Sequence, residues 1–325
     1  MRLFNYAAAI LAVSVLVGCG GGGNGDQSPK IKFTSQVSFG DSLSDVGSYA
    51  VSTITAYGGG GQYTINGTGK NWTELMAAQF DLTVPCAYQT GLNGSVFGSG
   101  VVAATNASCT SYAQGGARVT NPVGPGNVGL GGADAMLGQL TVPITTQVDN
   151  HLAAVGGSFS GNEVVFVLAG ANDVFIQLAT YAAMVGAGTP SGTAATTVAT
   201  DMATAGTELA GYINNKIIAN GANYVVVINM PDVSSTPLGT EQEAAAPGSK
   251  ALINTLVTSF NAKLQSGLAG SNAKVLFIDA YTANRDQISN PAIYGLTNTT
   301  PPACDLAAVT NPIASALMCN ATTLI

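Results

Sequence analysis

Three apolar runs rich in β-branched residues mark the second half of the chain: EVVFVLAG (163–170), YVVVINM (224–230) and KVLFIDA (274–280). Unbroken apolar runs of this length predict strands buried on both faces. A shorter run, KFTSQVSF (32–39), ends at Gly40 and predicts the first strand. Between the runs the apolar period changes to three and four. NWTELMAAQF (71–80) repeats at Trp72, Leu75, Met76 and Gln79, and residues 140–155 have helical character despite Pro143. Residues 193–220 form a long Ala- and Thr-rich helical stretch. Residues 249–268 place Leu252, Leu256, Phe260 and Leu264 on one helical face. Residues 81–135 and 281–325 carry no sustained period and predict long loops. Strands separated by helices of this size predict βαβ units, right-handed crossovers and a parallel sheet covered on both sides. The fold class is therefore α/β, a three-layer α/β/α sandwich. No internal repeat appears, so residues 32–325 are expected to form one domain.

The N-terminus changes the picture first. Arg2, then the apolar stretch 7–17, then Leu16-Val17-Gly18-Cys19, read as a signal peptide over residues 1–18 that ends in a bacterial lipobox. Cys19 would carry the lipid, and the Gly-rich stretch that follows would tether the domain over residues 19–31. The expected location is exported: an outer-membrane lipoprotein facing periplasm or cell surface, or a secreted protein. Set aside Cys19 and four cysteines remain, an even count that implies disulfides in an exported chain. Three connectivities are possible. The local one, Cys86–Cys109 with Cys304–Cys319, is expected. Wide spacings and one histidine argue against a metal site.

Charge narrows the partners. Charged residues are 8% of the chain and the net charge is −7, with ten Lys and Arg. Nucleic acid needs clustered cations and is excluded as a partner. Beyond residue 18 no uncharged apolar run is long enough to span a bilayer. A monomer without a cofactor is expected.

In a parallel sheet, ligands bind beyond the carboxyl ends of the strands. Three segments fall there or can reach there: Gly40-Asp41-Ser42-Leu43, the loop Tyr112-Ala113-Gln114-Gly115-Gly116-Ala117, and Gly170-Ala171-Asn172-Asp173. A serine on a tight turn exposes a hydroxyl that can attack an ester carbonyl. A glycine N–H approaches the developing oxyanion unobstructed, and a carboxamide offers another N–H. Ser42, Gly116 and Asn172 are the candidate catalytic residues. Each segment alone also reads as a plain turn or helix cap. Asp41, Asp45 and Asp173 read as turn and capping groups, and Arg118 as facing either the cleft or solvent.

Together these segments resemble the GDSL family, also called SGNH hydrolases, over roughly residues 32–290. FGDSLSD (39–45) is similar to its first block, YAQGGA (112–117) to its second and GAND (170–173) to its third. Asn71-Trp72 and Asn229-Met230-Pro231-Asp232 are similar to secreted or outer-membrane bacterial members. The resemblance implies a flavodoxin-like sandwich and a serine ester hydrolase acting through an acyl-enzyme at Ser42. It implies lipid, aryl-ester, thioester or acetylated-glycan substrates. Within the second block it favours Gly116 over Gly115 as oxyanion donor.

The family's fourth block, Asp-x-x-His near the C-terminus, has no counterpart here. The single histidine, His151, lies between the second and third blocks on a predicted helix. It is expected to be a solvated helix residue on a helix starting below the rim, and Asp149 two positions earlier faces elsewhere. The expectation is a chain cut before the fourth block, with Ser42 lacking its base and esterase activity impaired. A lost closing helix would leave an apolar strip of the sheet bare. The alternative function is a non-enzymatic surface lipoprotein that binds an acyl or glycan ligand in the same cleft. A phosphate or flavin binder lacks its Gly-rich loop with lysine.

Overall fold

The structure is a computed structural model that describes residues 31–94, 100–135, 137–306 and 315–320. The expected signal peptide, the lipidated Cys19 and almost all of the tether lie outside the described residues. The described residues from Phe33 onward fall in one compact unit.

Four strands form a parallel sheet: β1 (Gln36–Gly40), β4 (Val164–Leu168), β5 (Tyr224–Ile228) and β6 (Val275–Ile278), in the order β1-β4-β5-β6. Two short strands, β2 (Gln89–Thr90) and β3 (Ala104–Thr105), pair separately. The helices are α1 (Ser52–Ala56), α2 (Trp72–Gln79), α3 (Ile144–Ala154), α4 (Ala171–Gly186), α5 (Ser191–Tyr212), α6 (Pro237–Ala245), α7 (Ser249–Leu268) and α8 (Ala280–Ser289). Residues 110–114 run parallel along the free side of β1. Ser38 N–H donates to Thr110 O, and Tyr112 N–H to Ser38 O. Counting this ragged edge, the order by appearance in the chain is 2-1-3-4-5, the flavodoxin-like arrangement.

Register assigns the faces. Val37, Val165, Val225 and Val275 stand in one row, and Phe39, Val167, Val227 and Phe277 in the next on the same face. They pack against Ile144 and Val148 of α3, Met202 and Leu209 of α5, and Leu256, Phe260 and Leu264 of α7. On the opposite face Trp72 of α2 meets the Phe166 ring at 5.0 Å. Helices on both faces make the three layers. An Asn71–Glu74 capping box starts α2.

Several expectations change. The first strand begins at Gln36, and Pro143 caps α3 rather than lying inside it. Helix α2 buries Thr73 and Ala77, leaving Leu75 56% exposed. The 274–280 run is not buried: β6 is the sheet edge, with Leu276 59% and Ile278 38% exposed. The residues after it open with α8, not a loop, because Asp279 accepts the Thr282 N–H and caps that helix. Helix α4 was not singled out by the pattern. Both disulfides, Cys86–Cys109 and Cys304–Cys319, are present, as the local pairing expected.

Candidate active site

Strand β1 delivers the chain to the rim at Gly40. A Cβ there would lie 2.8 Å from Leu168 O, so glycine lets the two strand ends close up. The next residues turn tightly. The Asp41 carboxylate accepts the Leu43 N–H at 3.0 Å, and Asp41 O accepts the Ser44 N–H at 3.1 Å. This is the Asx turn that an aspartate favours. Ser42 sits half-buried at its tip, and its hydroxyl has no hydrogen-bond partner among the described residues. Behind it, Trp72 Nε1 donates to Ser44 Oγ at 3.2 Å and Asn71 Nδ2 to Asp45 O at 3.0 Å.

The second segment arrives along β1. Gln114 N–H donates to Gly40 O, which carries the next residues to the Ser42 turn. The buried Asp45 carboxylate accepts from Gly47, Ser48 and Gly115 N–H at 2.7–2.9 Å. Gly115 is thereby occupied, while the Gly116 N–H has no acceptor among the described residues. Gly116 adopts φ +78°, and a Cβ there would lie 2.5 Å from Pro125 O. Only glycine fits both constraints.

The third segment locks onto the second. Asn172, in the first turn of α4 and 4% exposed, donates one Nδ2 hydrogen to Ala117 O at 2.8 Å. Its neighbour Asp173 accepts Arg118 Nε at 2.9 Å and Val119 N–H at 3.0 Å. Arg118 therefore belongs to the rim's internal structure rather than to solvent. Asn172 keeps a second amide hydrogen uncommitted.

Three carboxylates stand in this rim. Burial pushes Asp41 up to about 7, with Asp173 and Asp45 adding repulsion. Burial likewise raises Asp45 to about 6 against its three backbone donors, and raises Asp173 against the Arg118 guanidinium.

His151 does not stand as expected. It is 3% exposed, not solvated. Its Nδ1 lies 3.2 Å from Tyr112 OH, and rings of Phe39, Tyr112 and Phe159 surround it at 4.6–5.7 Å. Burial lowers it to about 4, only partly offset by Glu163. It makes no hydrogen bond to Ser42. Asp149 points away to Lys216, 2.7 Å distant. Nor does α3 start below the rim. Its Gln147 side chain reaches Gly40, accepting the N–H at 2.9 Å and donating to the carbonyl at 2.8 Å. Gln147 is four residues before His151, so the histidine lies one turn down, against the sheet.

The sequence did not single out Gln147, Asp45 or the Arg118–Asp173 pair as the site's framework. The signal present was a polar residue on an otherwise apolar helix face, as at Gln147 beside Ile144 and Val148. Among the described residues, no cluster of His, Cys, Asp or Glu is arranged to hold a metal ion.

A family model described as GDSL-like Lipase/Acylhydrolase matches residues 37–309. A search of curated proteins finds no match. Among solved structures, an extracellular lipase from Streptomyces rimosus aligns at 17% identity with a TM-score of 0.40. The alignment covers 89% of this chain and 94% of that one.

Proposed function

Because the chain belongs to the GDSL-like lipase/acylhydrolase family, a family of hydrolases, we propose that it acts on carboxylic esters, with Ser42 as nucleophile. Ser42 Oγ attacks the carbonyl carbon and its proton leaves to solvent. The carbonyl oxygen, now an anion, accepts hydrogen bonds from Gly116 N–H and the free Asn172 Nδ2 hydrogen. Collapse expels the alcohol as alkoxide, which takes a proton. Water then releases the acid from the acyl-enzyme. One observation carries this reading. Gly115 N–H and one Asn172 hydrogen are spent holding the segments together, while Gly116 N–H, the other Asn172 hydrogen and the Ser42 hydroxyl are left free.

On this reading turnover is slow. Its single histidine is buried against Tyr112, so no imidazole takes the Ser42 proton. General-base help of that kind is worth roughly 10²–10⁴-fold. The same observation favours a second reading, in which the cleft binds an acyl or glycan ligand without hydrolysing it.

Export is part of the proposal. The lipobox-like Leu16-Val17-Gly18-Cys19 and two disulfides support an outer-membrane or secreted location, with the lipid on Cys19 and the domain acting as a monomer.

A fluorophosphonate probe at alkaline pH tests the nucleophile. Labelling of the wild type that Ser42→Ala abolishes supports the hydrolase. Labelling that survives Ser42→Ala, or none at any pH, rejects Ser42 as nucleophile.

A further inference from the structure

One peptide unit carries both the Gly115 carbonyl and the Gly116 N–H, the oxyanion donor proposed above. Its carbonyl end is held by Tyr49. That residue is fully buried, and its hydroxyl donates to Gly115 O at 2.7 Å. A carbonyl can only accept, so the phenol proton lies on this bond. The phenol oxygen in turn accepts the Thr141 N–H at 3.4 Å. With its proton sent one way and an N–H arriving from another, the hydroxyl has a fixed orientation.

The rest of Gly115 is equally constrained. Its N–H donates to Asp45 at 2.9 Å. A Cβ on it would lie 2.1 Å from the Tyr63 ring and 3.0 Å from the Tyr49 ring, so both rings press on the bare Cα. Asp45 and Tyr49, which hold its two polar groups, both come from the stretch that follows the Ser42 turn. Thr141 adopts φ +50°, an outlier for a β-branched residue. Its Oγ1 holds it there, donating to Pro122 O at 2.5 Å and accepting Asn127 Nδ2 at 2.8 Å. A Cβ on Gly116 would lie 2.6 Å from the Thr141 methyl group. Backbone strain persists where the surroundings impose it, and it clusters at functional sites. Here the strained residue presents its N–H to the Tyr49 oxygen.

We infer that Tyr49 is a positioning residue for the oxyanion hole: by holding Gly115 O it fixes the Gly115–Gly116 peptide plane and aims the Gly116 N–H. No cis peptide bond occurs among the described residues, and in a trans peptide the C=O and N–H point in opposite directions. Pinning the carbonyl towards Tyr49 turns the N–H away from it. The bond also polarises the unit, since a carbonyl that accepts makes its own N–H a better donor. Burial raises the Tyr49 phenol well above its ordinary value, so the donor survives the alkaline pH at which Ser42 is labelled. The role of that N–H rests on the ester-hydrolase reading, but the Tyr49 contact is measurable without any reaction.

The test is the rate at which a fluorophosphonate labels Ser42, read together with the amide NMR spectrum. Tyr49→Phe keeps the ring and removes only the hydroxyl. It should slow bond formation by about tenfold or more and leave the reversible affinity for the probe unchanged, because the donor acts as charge develops on the oxygen. Tyr63→Phe makes the same deletion on the neighbouring ring, whose hydroxyl does not bond Gly115, and should label as fast as the wild type. Tyr49→Phe should also shift the Gly116 amide nitrogen, and Tyr63→Phe should shift it less. Equal labelling by the wild type and folded Tyr49→Phe would overturn the inference and leave Ser42 as nucleophile. A loss matched by Tyr63→Phe would mark a general packing effect and overturn it as well. No labelling of the wild type would reject Ser42; the Gly116 shift then decides the Tyr49 contact alone, and its absence overturns it. If Tyr49→Phe does not fold, the wild type decides: a Tyr49 hydroxyl proton that exchanges slowly enough to be seen by NMR supports the bond, and one lost to rapid exchange overturns it.

Discussion

The β1–β4 rim and the β6 edge are built from similar sequence and end in opposite states. VVFVL in β4 and VLFI in β6 are both apolar strands of the same sheet. All five residues of β4 are buried, whereas in β6 Leu276 and Ile278 are exposed. The row Ser38, Phe166, Val226, Leu276 crosses the sheet on the α2 face. It passes from 1% and 2% exposure to 59%. Trp72 covers its first half. At the rim several polar side chains are buried as well, and long-range hydrogen bonds hold them: Gln147 to Gly40, Asp45 to Gly115, Asp173 to Val119. An apolar strand pattern thus reports that a strand forms. It does not report whether anything covers both of its faces.

The largest test of this contrast is Arg118→Met. It leaves the buried Asp173 carboxylate without its cation and should destabilise the protein by about 3–5 kcal/mol. Denaturant unfolding measures it. A loss below about 1 kcal/mol would mean that the rim is not locked by this pair.

Next is the histidine cage. Burial lowers His151 from its ordinary 6.5 to about 4. Between those values the unfolded chain binds a proton that the folded chain refuses. The folded state therefore loses stability as pH falls from 6.5 to 4, and this effect is absent above 6.5. Asp41 and Asp45 act oppositely, since their raised values favour the folded state as pH falls through about 7 and 6. Comparison with His151→Phe isolates the histidine. The stability of wild type relative to the variant should fall by about 3 kcal/mol from pH 7 to pH 4. A flat difference would show that His151 is not held neutral.

The smallest effects compare a covered position of β5 with a bare position of β6. Val227→Ala removes methyl groups from a fully buried site and should cost about 2 kcal/mol. Leu276→Ala, on the exposed face of β6, should change stability by less than about 0.5 kcal/mol. Equal costs would show that the edge is covered in solution.

Much of the fold was legible because three of its four main strands are apolar runs rich in β-branched residues and α7 keeps a clean apolar face. Residues 110–114 were not, because Thr110-Ser111-Tyr112-Ala113-Gln114 has no strand pattern and gains its place only from β1. Helix α4 was hidden because Gly170-Ala171-Asn172-Asp173 reads as a turn. At the candidate site, the three motif segments could be read directly. What joins them could not, because Asp45 and Gly115, Gln147 and Gly40, and Asn172 and Ala117 are partners 55–107 positions apart. The state of His151 was hidden for the same reason: its cage comes from Phe39, Tyr112 and Phe159, on three separate segments.

The account's central claim is that Ser42, Gly116 and Asn172 serve one carbonyl oxygen. A crystal structure of the phosphonylated protein tests it directly. The account predicts phosphorus on Ser42 Oγ, with one phosphonyl oxygen about 2.7–3.1 Å from both Gly116 N and Asn172 Nδ2. A phosphonyl oxygen pointing to solvent, or held by other donors, would contradict it.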